Sequence, residues 1–296
     1  MKPYFRIIGL GEVLWDLFPD GDHFGGAPAN MACTAAGLLG PSGVVKLISA
    51  LGNDSRGRKA IDFLEQRHVD ISEMQITEAP TGSVTIQLDD SGQPLFNISG
   101  NSAWDHIAWS EHLRPLTANV DAICFGSLAQ RGNTSRHTIQ KFVGTTPANA
   151  LKVFDMNLRS PFYEPDTLIQ SLRLANVLKL NEQELCVVCE ILLISGDSTD
   201  VLKRLQDDYQ INSIALTQGS AGAVLIHYSE TVNVPSLPTT VVDTVGAGDA
   251  FTAALIIGLL KNQSLTEIAN FATNVSSYVC SQRGATPRLP DWIGRY

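Results

Sequence analysis

The chain has 296 residues, with 21 Lys and Arg against 30 Asp and Glu for a net charge of −9, and 44% of its residues are apolar. This composition supplies a sizeable core and excludes a disordered chain, while the acidic balance argues against a nucleic-acid or anionic-membrane partner, whose phosphates need clustered Lys and Arg. The longest apolar stretch, 250–260 interrupted by Thr252, falls short of the ~20 residues that cross a bilayer, and Glu12 and Asp16 break the run a signal peptide needs, so a cytoplasmic protein is expected.

In chain order, a strand leads into Gly9-Leu10-Gly11, which opens like a dinucleotide fingerprint. Leu14 stands at its sixth position and a strand-like stretch follows, so that reading fails on context. The stretch, 12–18, is mainly apolar on both faces. Asp16 within it therefore either finds hydrogen-bonding partners on burial, as sugar hydroxyls would provide, or stays in water at a sheet edge. Gly25-Gly26-Ala27-Pro28-Ala29-Asn30 opens a helix expected over 28–39, with Pro28 suited to the first turn. Its glycines permit close approach of a ligand, and Asn30 could offer its amide to hydroxyls; a plain tight loop is the alternative.

From about Val44 onward, strands at 44–51, 122–127, 151–156, 177–180 and 213–217 alternate with helices at 57–67, 135–143, 181–191, 201–209, 247–260 and 265–280. That rhythm predicts a mostly parallel sheet with helices on its faces. Segments 83–88 and 95–99, joined by Asp89-Asp90-Ser91-Gly92-Gln93, read as a hairpin and, with 12–18, as a small antiparallel patch beside the main sheet. No repeat or linker divides the chain. The five cysteines are odd in number and scattered, which fits a reducing compartment; Cys186 and Cys189 have no second pair or His at zinc spacing.

No Gly-Lys dipeptide occurs, so there is no phosphate-loop lysine. The remaining device is Asp243-Thr244-Val245-Gly246-Ala247-Gly248-Asp249, a glycine-rich turn running into an apolar helix. Successive N–H groups converge there and the helix N-terminus adds partial positive charge, which makes an anion pocket without lysine. Asp249 reads two ways. It is a first-turn carboxylate stabilised by the helix dipole by roughly 0.3–1 kcal/mol, or it is the acceptor of a proton from a hydroxyl attacking a γ-phosphate. Asn181-Glu182-Gln183-Glu184 has capping-box spacing, and a carboxylate at such a strand-to-helix junction could also organise magnesium through water. Asp155-Met156-Asn157-Leu158-Arg159 ends a strand with charges suited to phosphate, and Thr217-Gln218-Gly219 with Gly222 forms a turn that could lie along a nucleotide.

In this order the motifs resemble the ribokinase-like carbohydrate kinases of the phosphofructokinase-B type, most closely their fructokinase-like members. Residues 25–30 are similar to the first signature, 155–159 to the Asp-x-Asn-x-Arg segment, Lys179, Asn181 and Glu184 to the Lys-x-Asn-x-x-Glu segment, and 243–251 to the second signature, with Val245 in place of its Thr. The resemblance implies an α/β fold: a single three-layer α/β/α ribokinase-like domain over 1–296 with a mostly parallel sheet and a small β lid from about 12–24 and 80–104. It implies ATP-dependent phosphorylation of a sugar hydroxyl. Asp249 is then the catalytic base, Gly246, Ala247 and Gly248 supply the anion hole, and Arg159 lies near the phosphate or sugar. Asp16, Gly25, Gly26 and Asn30 hold the sugar; Asn181 and Glu184 support Mg²⁺ and phosphates, Glu184 through water; Thr217, Gly219 and Gly222 line the nucleotide, with Asn274 near adenine. Asp243, the Val245 carbonyl and the turn at Gly284 match a monovalent-cation site, as for K⁺. Lids of this family sometimes pair across a homodimer. The resemblance points to fructose as substrate. A 2-keto-3-deoxy sugar acid, paired by Arg159 or Arg131, and a non-catalytic sugar- or nucleotide-binding protein are the alternatives.

Overall fold

A computed structural model describes residues 4–18, 21–88 and 94–293. The chain begins with β1 (Phe5–Leu10), β2 (Leu14–Phe18), β3 (Gly21–Gly25), α1 (Ala27–Leu39), β4 (Gly43–Ile48), β5 (Ala50–Gly52) and α2 (Ser55–Gln66). It continues through β6 (Gln75–Thr77), β7 (Gly82–Leu88), β8 (Pro94–Ile98), α3 (Arg114–Ala118), β9 (Ala122–Phe125), α4 (Asn133–Thr145), β10 (Leu151–Asp155) and α5 (Pro165–Leu174). The last third holds β11 (Val177–Asn181), α6 (Glu182–Leu192), α7 (Ser198–Tyr209), β12 (Ser213–Thr217), β13 (Ala223–His227), β14 (Glu230–Val234), α8 (Ala247–Leu260) and α9 (Leu265–Cys280).

Eight strands form the central sheet in the order β14-β13-β12-β11-β10-β9-β1-β4. The pairs from β4 through β12 are parallel, and β13 and β14 add an antiparallel edge. Side chains alternate across this sheet, so both faces are buried: Ile7 joins the core on one face, Ile8 and Leu10 the core on the other. Residues of α1, α2, α8 and α9 complete the first core, and residues of α4 to α7 the second. The molecule therefore has the expected three-layer α/β/α architecture. Helix α8 packs between α1 and α9, which is why its residues 249–258 are all buried and why it is apolar all round rather than striped.

A second sheet, β3-β2-β7-β8, stands apart from the first. It is mixed rather than antiparallel throughout: the two hairpin-like pairs are antiparallel, but β2 runs parallel to β7. The expected strand over 12–18 starts at Leu14, leaving Glu12 in the preceding turn at 3% exposure. The expected strand over 44–51 divides at Ser49, and β5 leaves the main sheet to pair with β6. Turn 89–93 lies outside the described residues. Strands β13 and β14 and helix α5 were not legible, because each is short and takes its conformation from the sheet edge or core it packs against.

Candidate active site

The carboxyl ends of β1, β10, β11 and β12 lead into Glu12, Asp155 to Arg159, Asn181 and Thr217 respectively. Strand order reverses at β1, and such a switch point is where α/β sheets bind ligands. The amino ends of α1 and α8 meet at the same place. Asn30 Nδ2 donates to Asp249 Oδ2 at 2.8 Å, joining residues 219 positions apart.

Gly246 precedes α8 in the left-handed region, with φ 78°. A Cβ there would lie 2.4 Å from the Ala285 carbonyl oxygen, so the turn requires glycine. No side chain caps α8, and among the described residues the N–H groups of Gly248 and Asp249 reach no carbonyl. Uncapped donors at the start of a 14-residue helix suit a phosphate-like anion. Asp249 is 8% exposed beside them. Burial pushes its carboxyl up to about 7, Asp155 adds to the rise, and Asn30, Lys179 and Arg159 oppose it. A carboxyl that titrates there can take up a proton near neutral pH.

On the opposite side, Gly26 has φ 108°, and a Cβ on it would stand 2.5 Å from the Glu12 carbonyl oxygen. Gly25 lies against Asp16, whose Oδ2 would be 2.9 Å from a Cβ. Burial pushes Asp16 up to about 6, against the pull of Arg159 and His23. Arg159 is exposed and donates to the Leu158 carbonyl at 3.0 Å. Its charge acts on Glu12, Asp16 and Asp249 together, so the predicted residues Arg159, Asp16 and Asp249 share one neighbourhood.

Asn181 and Glu184 form the capping box. Glu184 N–H donates to Asn181 Oδ1 at 2.9 Å, and Glu184 Oε2 accepts from Asn181 N–H at 2.8 Å. Glu184 Oε1 accepts from Leu158 N–H at 2.9 Å, tying the 155–159 turn to α6. Burial raises the Glu184 carboxyl and Lys179 opposes the rise. Each oxygen already holds a donor, so the residue fits a metal-bound water better than a direct metal bond. Among the described residues no group of three His, Cys, Asp or Glu is placed to hold a metal ion. Asp243 accepts from Val245 N–H and Gly284 N–H, both at 3.0 Å, and so staples the glycine-rich turn to the turn after α9.

Thr217 pairs in register with Asn181 across β11 and β12. Gly219 is exposed at φ 54°, whereas Gly222 is buried at φ 109° against the Val234 carbonyl. Asn274 is half-buried on α9, and among the described residues no hydrogen bond joins it to that turn. Arg131 is already paired with an acidic side chain, although its buried Nη1 has no partner among the described residues. Its Nε and Nη2 each bond Asp105 at 2.8 Å, and its guanidinium lies 3.9 Å from the Trp104 ring centroid.

Two residues at this place, Glu12 and Thr252, were not singled out as site residues by sequence reasoning, and a third, Lys179, was named only within the Lys-x-Asn-x-x-Glu segment, with no role. Glu12 is buried with Oε1 accepting from Ala27 N–H at 3.2 Å and Oε2 unpartnered. Thr252 donates to Asp155 Oδ2 at 2.7 Å, and Lys179 Nζ pairs with Asp155 Oδ1 at 3.0 Å. Their signal was a polar residue inside an apolar run, Leu10 to Leu14, Ala250 to Leu260 and Val177 to Leu180.

The pfkB family carbohydrate kinase pattern matches residues 21–292. The chain belongs to this family. As a pfkB sugar kinase it is 31% identical over 304 residues to a fructokinase of Klebsiella pneumoniae, covering 96% of each chain. An uncharacterized sugar kinase from Pyrococcus horikoshii, solved in complex with ATP, is 30% identical with a TM-score of 0.80, over 95% of this kinase and 94% of that chain. A fructokinase from Xylella fastidiosa with bound ATP shares the fold at a TM-score of 0.84 and 21% identity, over 98% and 96% of the two chains.

Proposed function

We propose that this kinase transfers the γ-phosphoryl group of ATP to a hydroxyl of a small monosaccharide, with fructose the first substrate to test. The observation that carries this reading is Asp249: a carboxyl raised to about 7, adjacent to uncapped helix N–H groups and hydrogen-bonded to the Asn30 amide of the paired-glycine segment. The substrate hydroxyl gives its proton to Asp249 as its oxygen bonds to the γ-phosphorus. The bond from that phosphorus to the β–γ bridging oxygen breaks, and ADP leaves. N–H groups at Gly246, Ala247 and Gly248 hold the charge of the migrating group. Asp16, Gly25, Gly26 and Asn30 hold sugar hydroxyls, and Arg159 reaches the phosphate or the sugar.

ATP lies along Thr217, Gly219 and Gly222 with adenine towards Asn274. Mg²⁺, when bound, would neutralise phosphate charge, and Asn181 and Glu184 would hold it through water. Asp243, the Val245 carbonyl and Gly284 would hold a monovalent cation. The four-stranded sheet acts as the lid of the single domain, and its edge strands β3 and β8 offer the homodimer contact. Fructose is favoured by the fructokinase names among relatives near 30% identity, and the pairing of Arg131 Nε and Nη2 with Asp105 leaves only its Nη1 to support a sugar acid.

A coupled ADP-release screen over ketoses, aldoses, nucleosides and keto-deoxy acids, with Mg²⁺ and with or without K⁺, tests the reading. Fructose should give the highest kcat/KM. A higher value for a sugar acid or nucleoside reassigns the substrate, and no ADP release with any compound removes the phosphoryl-transfer reading.

A further inference from the structure

Lys179 is 6% exposed and stands among three buried carboxyl groups, those of Asp155, Glu184 and Asp249. Its ammonium bonds Asp155 Oδ1 at 3.0 Å. The other oxygen, Asp155 Oδ2, accepts from Thr252 Oγ1 at 2.7 Å, and the same hydroxyl lies 3.1 Å from the Gly248 carbonyl oxygen. A Cβ on Gly248 would stand 2.9 Å from Lys179 Nζ. Lys179, Asp155, Thr252 and Gly248 thus close a ring that joins β10 and β11 to the first turn of α8.

We infer that Lys179 is a positioning residue for phosphoryl transfer: through Asp155 and Thr252 it fixes the Gly248–Asp249 turn, and its ammonium offsets the carboxylates that a phosphate must approach. The inference rests on the phosphoryl-transfer reading above. A strut that served folding alone could meet α8 anywhere along its buried length. This one meets it at the residue before Asp249, on the turn where, among the described residues, the N–H groups of Gly248 and Asp249 reach no carbonyl. A chain without a phosphate-loop lysine still needs positive charge near that turn, since a polyanion entering among buried carboxylates is otherwise repelled.

Burial pushes the Lys179 ammonium down, but the carboxylates of Asp155, Glu184 and Asp249 outweigh it and hold its pKa above the ordinary value. It therefore stays charged across neutral pH. The groups that face Asp249 are Asn30 from α1, Cys124 from β9, Asp155 from β10, Lys179 from β11, and Arg159.

The test compares Lys179→Met, Lys179→Arg and the double variant Asp155→Asn/Lys179→Met with wild type, reading kcat, sugar KM, the pH profile and Tm. Lys179→Met should lower kcat by about tenfold or more with sugar KM within about twofold. Its acid limb should move to higher pH, because the unpaired Asp155 charge and the lost ammonium both favour protonated Asp249. The arginine variant should recover part of kcat. The double variant, which leaves no unpaired charge, should regain Tm and the position of the acid limb while kcat stays low; it decides the question if Lys179→Met does not fold. Wild-type kcat and acid limb in Lys179→Met, or wild-type kcat returning with Tm in the double variant, would overturn the inference. An inactive wild type removes the phosphoryl-transfer reading and this inference with it, whereas an active wild type matched by Lys179→Met removes the inference alone.

Discussion

Asp249 holds its proton far more tightly in the folded chain than in an unfolded one, and both activity and stability should show it. Its carboxyl is raised from 3.8 to about 7, first by burial and then by Asp155. As a base it must be unprotonated, so kcat/KM of the free enzyme should rise with one proton's slope and a midpoint near 7. Asp249→Asn should reduce turnover by about 10²–10⁴-fold while sugar binding, read by calorimetry, persists. The stability effect has the opposite sign from that of a salt-bridged carboxylate. A raised folded pKa stabilises the fold below the unfolded value of 3.8, and that contribution is lost as pH rises through about 7. Asp249→Asn should therefore gain stability over wild type between pH 5 and pH 8, by up to roughly 2.6 kcal/mol in denaturant titrations at the two values. Equal stability at both values would show that burial does not perturb this group. Asp249 and Asn30 could each be named from local sequence, but their bond spans 219 positions. No local pattern encodes such a distance.

At the scale of elements, caps and turns decide whether these side chains arrive. The Glu184 carboxylate accepts backbone N–H groups from Asn181 and Leu158, so it holds both the start of α6 and the turn that carries Arg159. Glu184→Ala leaves these two donors and should cost about 1–3 kcal/mol in thermal or chemical unfolding. Glu184→Gln, which keeps one acceptor, should cost less. A loss of Mg²⁺ dependence without a loss of stability would instead mark the carboxylate as a metal residue alone. Helices α8 and α9 were legible to the residue because each is long, and α8 follows the glycine turn before Ala247; the structure adds a Ser264 to Glu267 capping box at the start of α9. Strand β2 was legible only in outline. Glu12 looked like part of it, since a charged residue next to an apolar run carries no sign of whether it pairs in a sheet or folds inward.

Across the whole molecule, one sheet separates two apolar cores, and the four-stranded sheet rises beside β1 and α1 on short connections. Asp16 on β2 and Asn30 on α1 belong to these two regions, so a sugar held by both should tie them together. Fructose at about 100 times its Kd should stabilise the fold by about 2.7 kcal/mol, and hydrogen exchange at β2 and β7 should slow with it. Unchanged exchange in those strands would separate the second sheet from sugar binding. Alternating β-branched and helical patterns determined the layered fold, because periodicity is a local consequence of which faces are buried. Glycine spacing likewise determined where an anion could sit. Tertiary structure alone decided which carboxyl is raised, which lysine lies beneath the turn, and that Arg131 is already engaged by Asp105. Those properties depend on distances between strands far apart in the chain and on the water that packing excludes, and neither is written in any stretch of neighbouring residues.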